Sequence, residues 1–145
     1  MTCGAWLAWL GGDAGSAPLK RQVQLTIGTD GDLLAFKPDQ LSCPSGAAVH
    51  LIFHHNGKYI TQQHNWVLTV PGAADAMAAA AIGAGERWGF VPQHDPRVLA
   101  ATPQCDKGQE VSVDFVAPAP GAYPFLCTNP GHGAVMHGTL HVLRT

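Results

Sequence analysis

Charge is scarce in this chain. Only 12% of its 145 residues are Asp, Glu, Lys or Arg, and the formal net charge is −2. With no basic run to track a phosphate backbone, nucleic acid gets no support as a partner. Long apolar runs are missing too. A membrane-spanning helix needs about 20 apolar residues, and the stretch AWLAWL at residues 5–10 falls far short. None of the four cysteines (Cys3, Cys43, Cys105 and Cys127) stands in a C-x-x-C pair, which argues against a zinc ribbon or a thioredoxin-type centre. What the chain does have is apolar side chain, 46% of its residues. That suffices for one domain with a real core and is too much for a disordered chain.

The first 20 residues differ from the rest. MTCGAWLAWLGGDAGSAP lacks the positive flank and the full apolar length of a signal peptide. Residues 1–20 are expected to be a flexible leader, the remnant of a clipped targeting segment, or a membrane-proximal tether. Residues 21–145 are expected to form the folded domain.

Within that domain the hydrophobic period is two. Val23, Leu25 and Ile27 alternate with polar neighbours, GTDG turns the chain, and residues 33–36 return it as a hairpin. CPSG from Cys43 reads as a turn. Val49, Leu51 and Phe53 then share one strand face, with His50, Ile52 and His54 on the other. HHNGK from His54 is loop chemistry. A strand beginning at His64 would put His64, Trp66, Leu68 and Val70 on one face. Residues 73–82 carry the only good helix signal, Ala-rich and stopped by Gly83 and Gly85. A short strand at 97–101, a turn at 103–108, and a strand through Val111, Val113 and Phe115 follow. The turn APAPGAYP leads into residues 125–127, and residues 138–143 close the fold. About eight short strands with one helical insertion predict an all-β, antiparallel Greek-key β-sandwich.

The chemistry gathers in CTNPGHGAVM at residues 127–136. Cys127, His132 and Met136 offer a thiolate, an imidazole and a thioether on one proline- and glycine-broken loop. Adding one histidine from elsewhere completes the set of a blue-copper site: two nitrogens and one sulfur in a plane, with a weak axial thioether. His64 is the candidate, at the head of an inward-facing row. Counting strand reversals from Cys43 brings its loop to the same end of the sandwich. Four protein ligands leave no open position for substrate, which catalytic metals keep. His50, His54, His55, His94, His137 and His141 read as solvent-facing, and Met77 as a core contact of the helix.

The motifs HNWVL at His64, C-T-x-P-G-H at Cys127, the C-x4-H-x3-M spacing and GTL at Gly138 resemble those of the cupredoxins, nearest to the azurins and auracyanins. The likeness covers residues 23–143. It implies one type 1 copper held by His64, Cys127, His132 and Met136, cycling between Cu(II) and Cu(I). It also implies that Asn65 ties the two ligand loops together, with Gln63, Thr128 and Asn129 beside the ligands. Azurins bring a backbone carbonyl toward copper just before the first histidine. Gln63 stands there instead of glycine, as in auracyanins, which argues against that contact. Where the family has a large apolar residue, this chain has Asn129. Its amide is expected to bond nearby, to stiffen the loop, or to donate toward the sulfur and raise the potential.

Other expectations follow from the same resemblance. Electrons leave through His132, ringed by Pro130, Gly131, Gly133, Ala134 and Val135. Partners are a c-type cytochrome, a terminal oxidase or another copper protein, met through a small transient contact. The place of work is periplasmic or otherwise extracytoplasmic, possible membrane association included. Cys43 stands where azurins carry half of a disulfide, so a Cys3–Cys43 bridge and free thiols are both open. The alternatives are a copper storage or delivery module, and a type 1 domain of a copper oxidoreductase. Against the latter, Leu126 and Thr128 flank Cys127 where multicopper oxidases place a histidine. The loop also holds one cysteine where the dinuclear oxidase centre needs two.

Overall fold

The computed structural model describes residues 20–145. The expected leader, Lys20 apart, therefore falls outside the described residues, and Cys3 with it. In chain order the strands are β1 (Gln22–Thr29), β2 (Phe36–Lys37), β3 (Gln40–Pro44), β4 (Ala48–His54), β5 (Val67–Thr69), β6 (Val98–Ala101), β7 (Glu110–Val116), β8 (Gly121–Leu126) and β9 (His137–Leu143). Helix α1 (Ala74–Ala84) and a 3-10 turn (Glu86–Trp88) lie between β5 and β6. A four-stranded sheet, β2-β1-β4-β7, packs against a five-stranded one, β3-β9-β8-β5-β6.

The sandwich matches the alternation in the sequence, with two differences of pairing. β1 runs parallel to β4 and β3 parallel to β9, so both sheets are mixed. Alternation shows which face of a strand is buried but not which way its neighbour runs. Parallel neighbours need a crossover, and here the chain leaves the first sheet after β2, forms β3 in the second, and returns as β4. Residues 40–44 consequently extend as β3, and the expected turn begins only after Pro44.

Inward rows build the core. Val49, Leu51 and Phe53 of β4 are buried, and β5 is buried on both faces, with β6 and β8 paired to its two edges. Trp66 lies 5.9 Å from Phe115 and 5.5 Å from Phe125, while Phe36 meets Phe53 and Phe125 edge-on. Edge-on and offset contacts of this kind add stabilisation beyond area alone. Helix α1 buries Met77 and Ala81 and ends at Gly85, whose φ of 78° favours glycine.

Candidate metal centre

His64 does not open a regular strand. It forms an isolated antiparallel bridge with Cys105, their N–H groups and carbonyls exchanging bonds of 3.1 and 2.7 Å. The bridge fixes His64 at one end of the sandwich, three residues ahead of β5. The second segment runs from the end of β8 to the start of β9. Its ends are pinned by the Cys127 N–H donating to the Met136 carbonyl at 3.0 Å. Between them, the N–H groups of Val135 and Met136 bond back to the His132 carbonyl at 3.1 and 2.8 Å, a tight turn that presents the ring. Gly131 has a φ of 81°, and a Cβ on Gly133 would lie 2.9 Å from Leu126 Cδ1 and 3.2 Å from the Cys127 carbonyl. The two glycines let this loop close.

The result is a compact donor set. Ligand atoms of His64, Cys127 and His132 all lie within 4.8 Å of one another, and all three residues are buried. The Cys127 sulfur is 3.8 Å from His64 Nδ1 and 3.5 Å from His132 Nδ1. For metal–nitrogen bonds of about 2.0 Å and metal–sulfur bonds of about 2.3 Å, nitrogen and sulfur donors around one ion sit roughly 3.5–3.8 Å apart. The observed separations match. Met136 is fully buried, with its backbone against Cys127.

Burial sets the protonation of these donors. Burial pushes the Cys127 thiol up to about 11, while backbone N–H groups of Asn65 and Asn129 on the sulfur pull the other way. Burial lowers His64 to about 4, helped by neighbouring His55 and His132, and burial also lowers His132. At neutral pH both imidazoles thus keep a free lone pair. A metal entering must displace the thiol proton, which couples binding to proton release. Soft thiolate and thioether beside imidazole suit copper, so the residues present fit one type 1 copper.

Behind the ligands, Asn65 joins the two segments. Its Oδ1 accepts from the Thr128 N–H at 2.9 Å, and its Nδ2 donates to Thr128 Oγ1 at 2.8 Å and to the Gly89 carbonyl at 3.2 Å. The Asn129 side chain does not reach the sulfur. Its Nδ2 donates to the Gln63 carbonyl at 2.7 Å and its Oδ1 accepts from Gln104 Nε2 at 2.6 Å, which leaves only its backbone N–H for Cys127. The alternative in which the side-chain amide donates to the thiolate is therefore corrected.

A second correction concerns His55, which is 1% exposed and not solvent-facing. Its Nε2–H donates to the Gln62 carbonyl at 2.8 Å, its Nδ1 accepts from the Gly57 N–H at 3.1 Å, and its ring lies 4.6 Å from that of His64. With both nitrogens bonded, the ring can be buried. His94, His137 and His141 are exposed, and His50 and His54 are half-buried beside Asp114 and Glu110. Pro130, Gly131, Ala134 and Val135 are exposed and Gly133 is half-buried, around a His132 that is 8% exposed. Among the described residues Cys43, Cys105 and Cys127 form no disulfide with one another; the partner named for Cys43 lies outside the described residues.

A β-sandwich whose tip holds two imidazoles and a thiolate, with a methionine closing the loop, defines a blue copper electron carrier of the cupredoxin class. Comparison with known proteins agrees. The chain belongs to the plastocyanin/azurin family of copper-binding proteins, which matches residues 22–143. It is 37% identical over 131 residues to auracyanin-A of Chloroflexus aurantiacus, covering 89% of this chain and 77% of that one. Azurin iso-2 of Methylomonas sp. strain J is 34% identical over 121 residues, covering 79% of this chain and 94% of the relative. The solved structure of auracyanin A, a "blue" copper protein, superimposes with a TM-score of 0.78 at 36% identity, covering 84% of this chain and 99% of that one.

Proposed function

We propose that His64, Cys127, His132 and Met136 hold one copper and that His132 is the door through which single electrons pass. The observation that carries this is the sulfur–imidazole spacing of 3.8 and 3.5 Å in a buried cluster. Copper bound there supplies a Cu(II)/Cu(I) couple. The chain supplies the rest. Bridge, loop and Asn65 hold the donors in one arrangement, so little nuclear movement accompanies a change of charge. Phe125 and Leu140, fully buried in the same apolar core as Cys127 and Met136, keep water out of the core behind the cluster.

The finer reading concerns partners. Val135 is 59% exposed, and the rim of Pro130, Gly131, Gly133 and Ala134 carries no charge, which supports brief, weakly bound encounters. A c-type cytochrome, a terminal oxidase or another copper protein fits such a contact. Kinship with azurins and auracyanins supports a periplasmic or other extracytoplasmic place. Among the described residues no helix is long and apolar enough to cross a membrane.

Cyclic voltammetry of the copper-loaded protein tests the carrier reading. A reversible one-electron couple is the expected result. Exchangeable Cu(I) with no reversible couple would favour storage or delivery, and turnover of nitrite, or of oxygen with a phenol, would favour an oxidoreductase domain.

A further inference from the structure

Outside the ligands, one polar chain runs beside the site and joins four segments that the sequence keeps apart. Gln104 Nε2 donates to the Gly89 carbonyl at 2.8 Å and to Asn129 Oδ1 at 2.6 Å. Asn129 Nδ2 then donates to the Gln63 carbonyl at 2.7 Å. The two ends are main-chain carbonyls, which can only accept, so the direction of every amide between them is set. Gln104 comes from the segment whose next residue, Cys105, bridges to His64. Asn129 lies two residues beyond Cys127, and Gln63 immediately precedes His64. Gly89 ends the 3-10 turn in the left-handed region, with a φ of 60°, followed by Phe90 at 59°. That turn aims the Gly89 carbonyl at the site, where Asn65 also uses it.

We propose that Gln104 and Asn129 are positioning residues, an amide ladder that sets the separation of the His64 and Cys127 segments before metal enters. Neither belongs to the donor cluster itself. Their effect passes through main chain adjacent to two ligands. The inference rests on the copper reading and adds to it a second tie beside Asn65–Thr128, on the more exposed side of the cluster. It also gives the helical insertion a task, because without the turn at Gly89 the ladder has no fixed end. Linked amides strengthen one another and act as a unit, so removing either should release both.

The test uses Asn129→Leu and Gln104→Met, each close in size to the residue it replaces, and the double variant. Copper affinity, the visible thiolate-to-copper absorption and, in copper-free protein, exchange of the Asn129 side-chain amide protons are measured. Each single variant should weaken copper binding about tenfold or more, the range found for residues that orient metal ligands. The double variant should lose no more than the worse single one. Gln104→Met should shift the absorption and speed exchange at Asn129, which a packing role alone would not do. Copper-free circular dichroism identifies a variant that does not fold, and the other single variant then decides. Wild-type protein that takes no Cu(II) overturns the copper reading itself. Wild type that binds copper, with folded variants matching it within twofold and unchanged in absorption, overturns the ladder alone.

Discussion

The ring of His55 lies 4.6 Å from that of His64, tilted by 36°, and is itself held by the Gln62 carbonyl and the Gly57 N–H. It is a wall behind the first ligand. His55→Ala should leave a cavity there and cost about 2–4 kcal/mol of copper-free stability, in the range for emptying a large buried side chain. Chemical denaturation measures it. The copper-loaded variant should also lose metal faster than wild type, since the His64 ring then lacks that wall.

Asn65 makes three side-chain hydrogen bonds in a buried setting. Asn65→Ala leaves the Thr128 N–H and hydroxyl without their partner. A loss of about 2–3 kcal/mol in stability is expected, with copper binding weakened about 10–100-fold. Isothermal titration and thermal melts check the two separately.

Gly138 has no room for a side chain. A Cβ there would strike the Asp39 carbonyl and the Phe125 ring. Gly138→Ala should therefore destabilise the fold by about 1–3 kcal/mol through overpacking, read as a lower Tm. Gly108, with open space around it but a φ of 75°, should lose less on the same change.

Stability of the copper-free protein should fall on the acid side in two stages. His64 is held near 4 against its usual 6.5, so the unfolded chain binds the extra proton first and stability declines as pH drops from about 6.5 towards 4. Asp95 is held near 2 against 3.8 by hydrogen bonds from the Arg97 side chain and N–H, and its contribution is lost as pH falls from 3.8 towards 2. Above pH 9 the raised Cys127 thiol works in the opposite sense, and stability declines as pH rises through about 11. Melting temperature against pH should show these limbs, and Asp95→Asn should shrink the lowest one.

Much of this was legible in the residues, and the gaps have physical reasons. The spacing of Cys127, His132 and Met136 is local, and a loop that short brings its donors together by covalent reach. His64 was found from its place at the head of an inward row, although the strand proper starts only at Val67. His55 differs from its expectation because a histidine in an HNG loop looks solvated, and its two bonding partners are main-chain groups that carry no sequence signal. Gln104 was invisible for the same reason, its role depending on a carbonyl at Gly89. The parallel pairings of β1 with β4 and β3 with β9 depend on where the chain changes sheets, which alternation does not encode.

Titration of the purified protein with Cu(II), followed by visible absorption beside a Cys127→Ser control, is the most direct test. Wild type should develop an intense thiolate-to-copper band that saturates at one equivalent, and the control should not. A wild-type protein that stays colourless, or a control that colours equally, would mean that the cluster of His64, Cys127 and His132 is not a blue-copper centre.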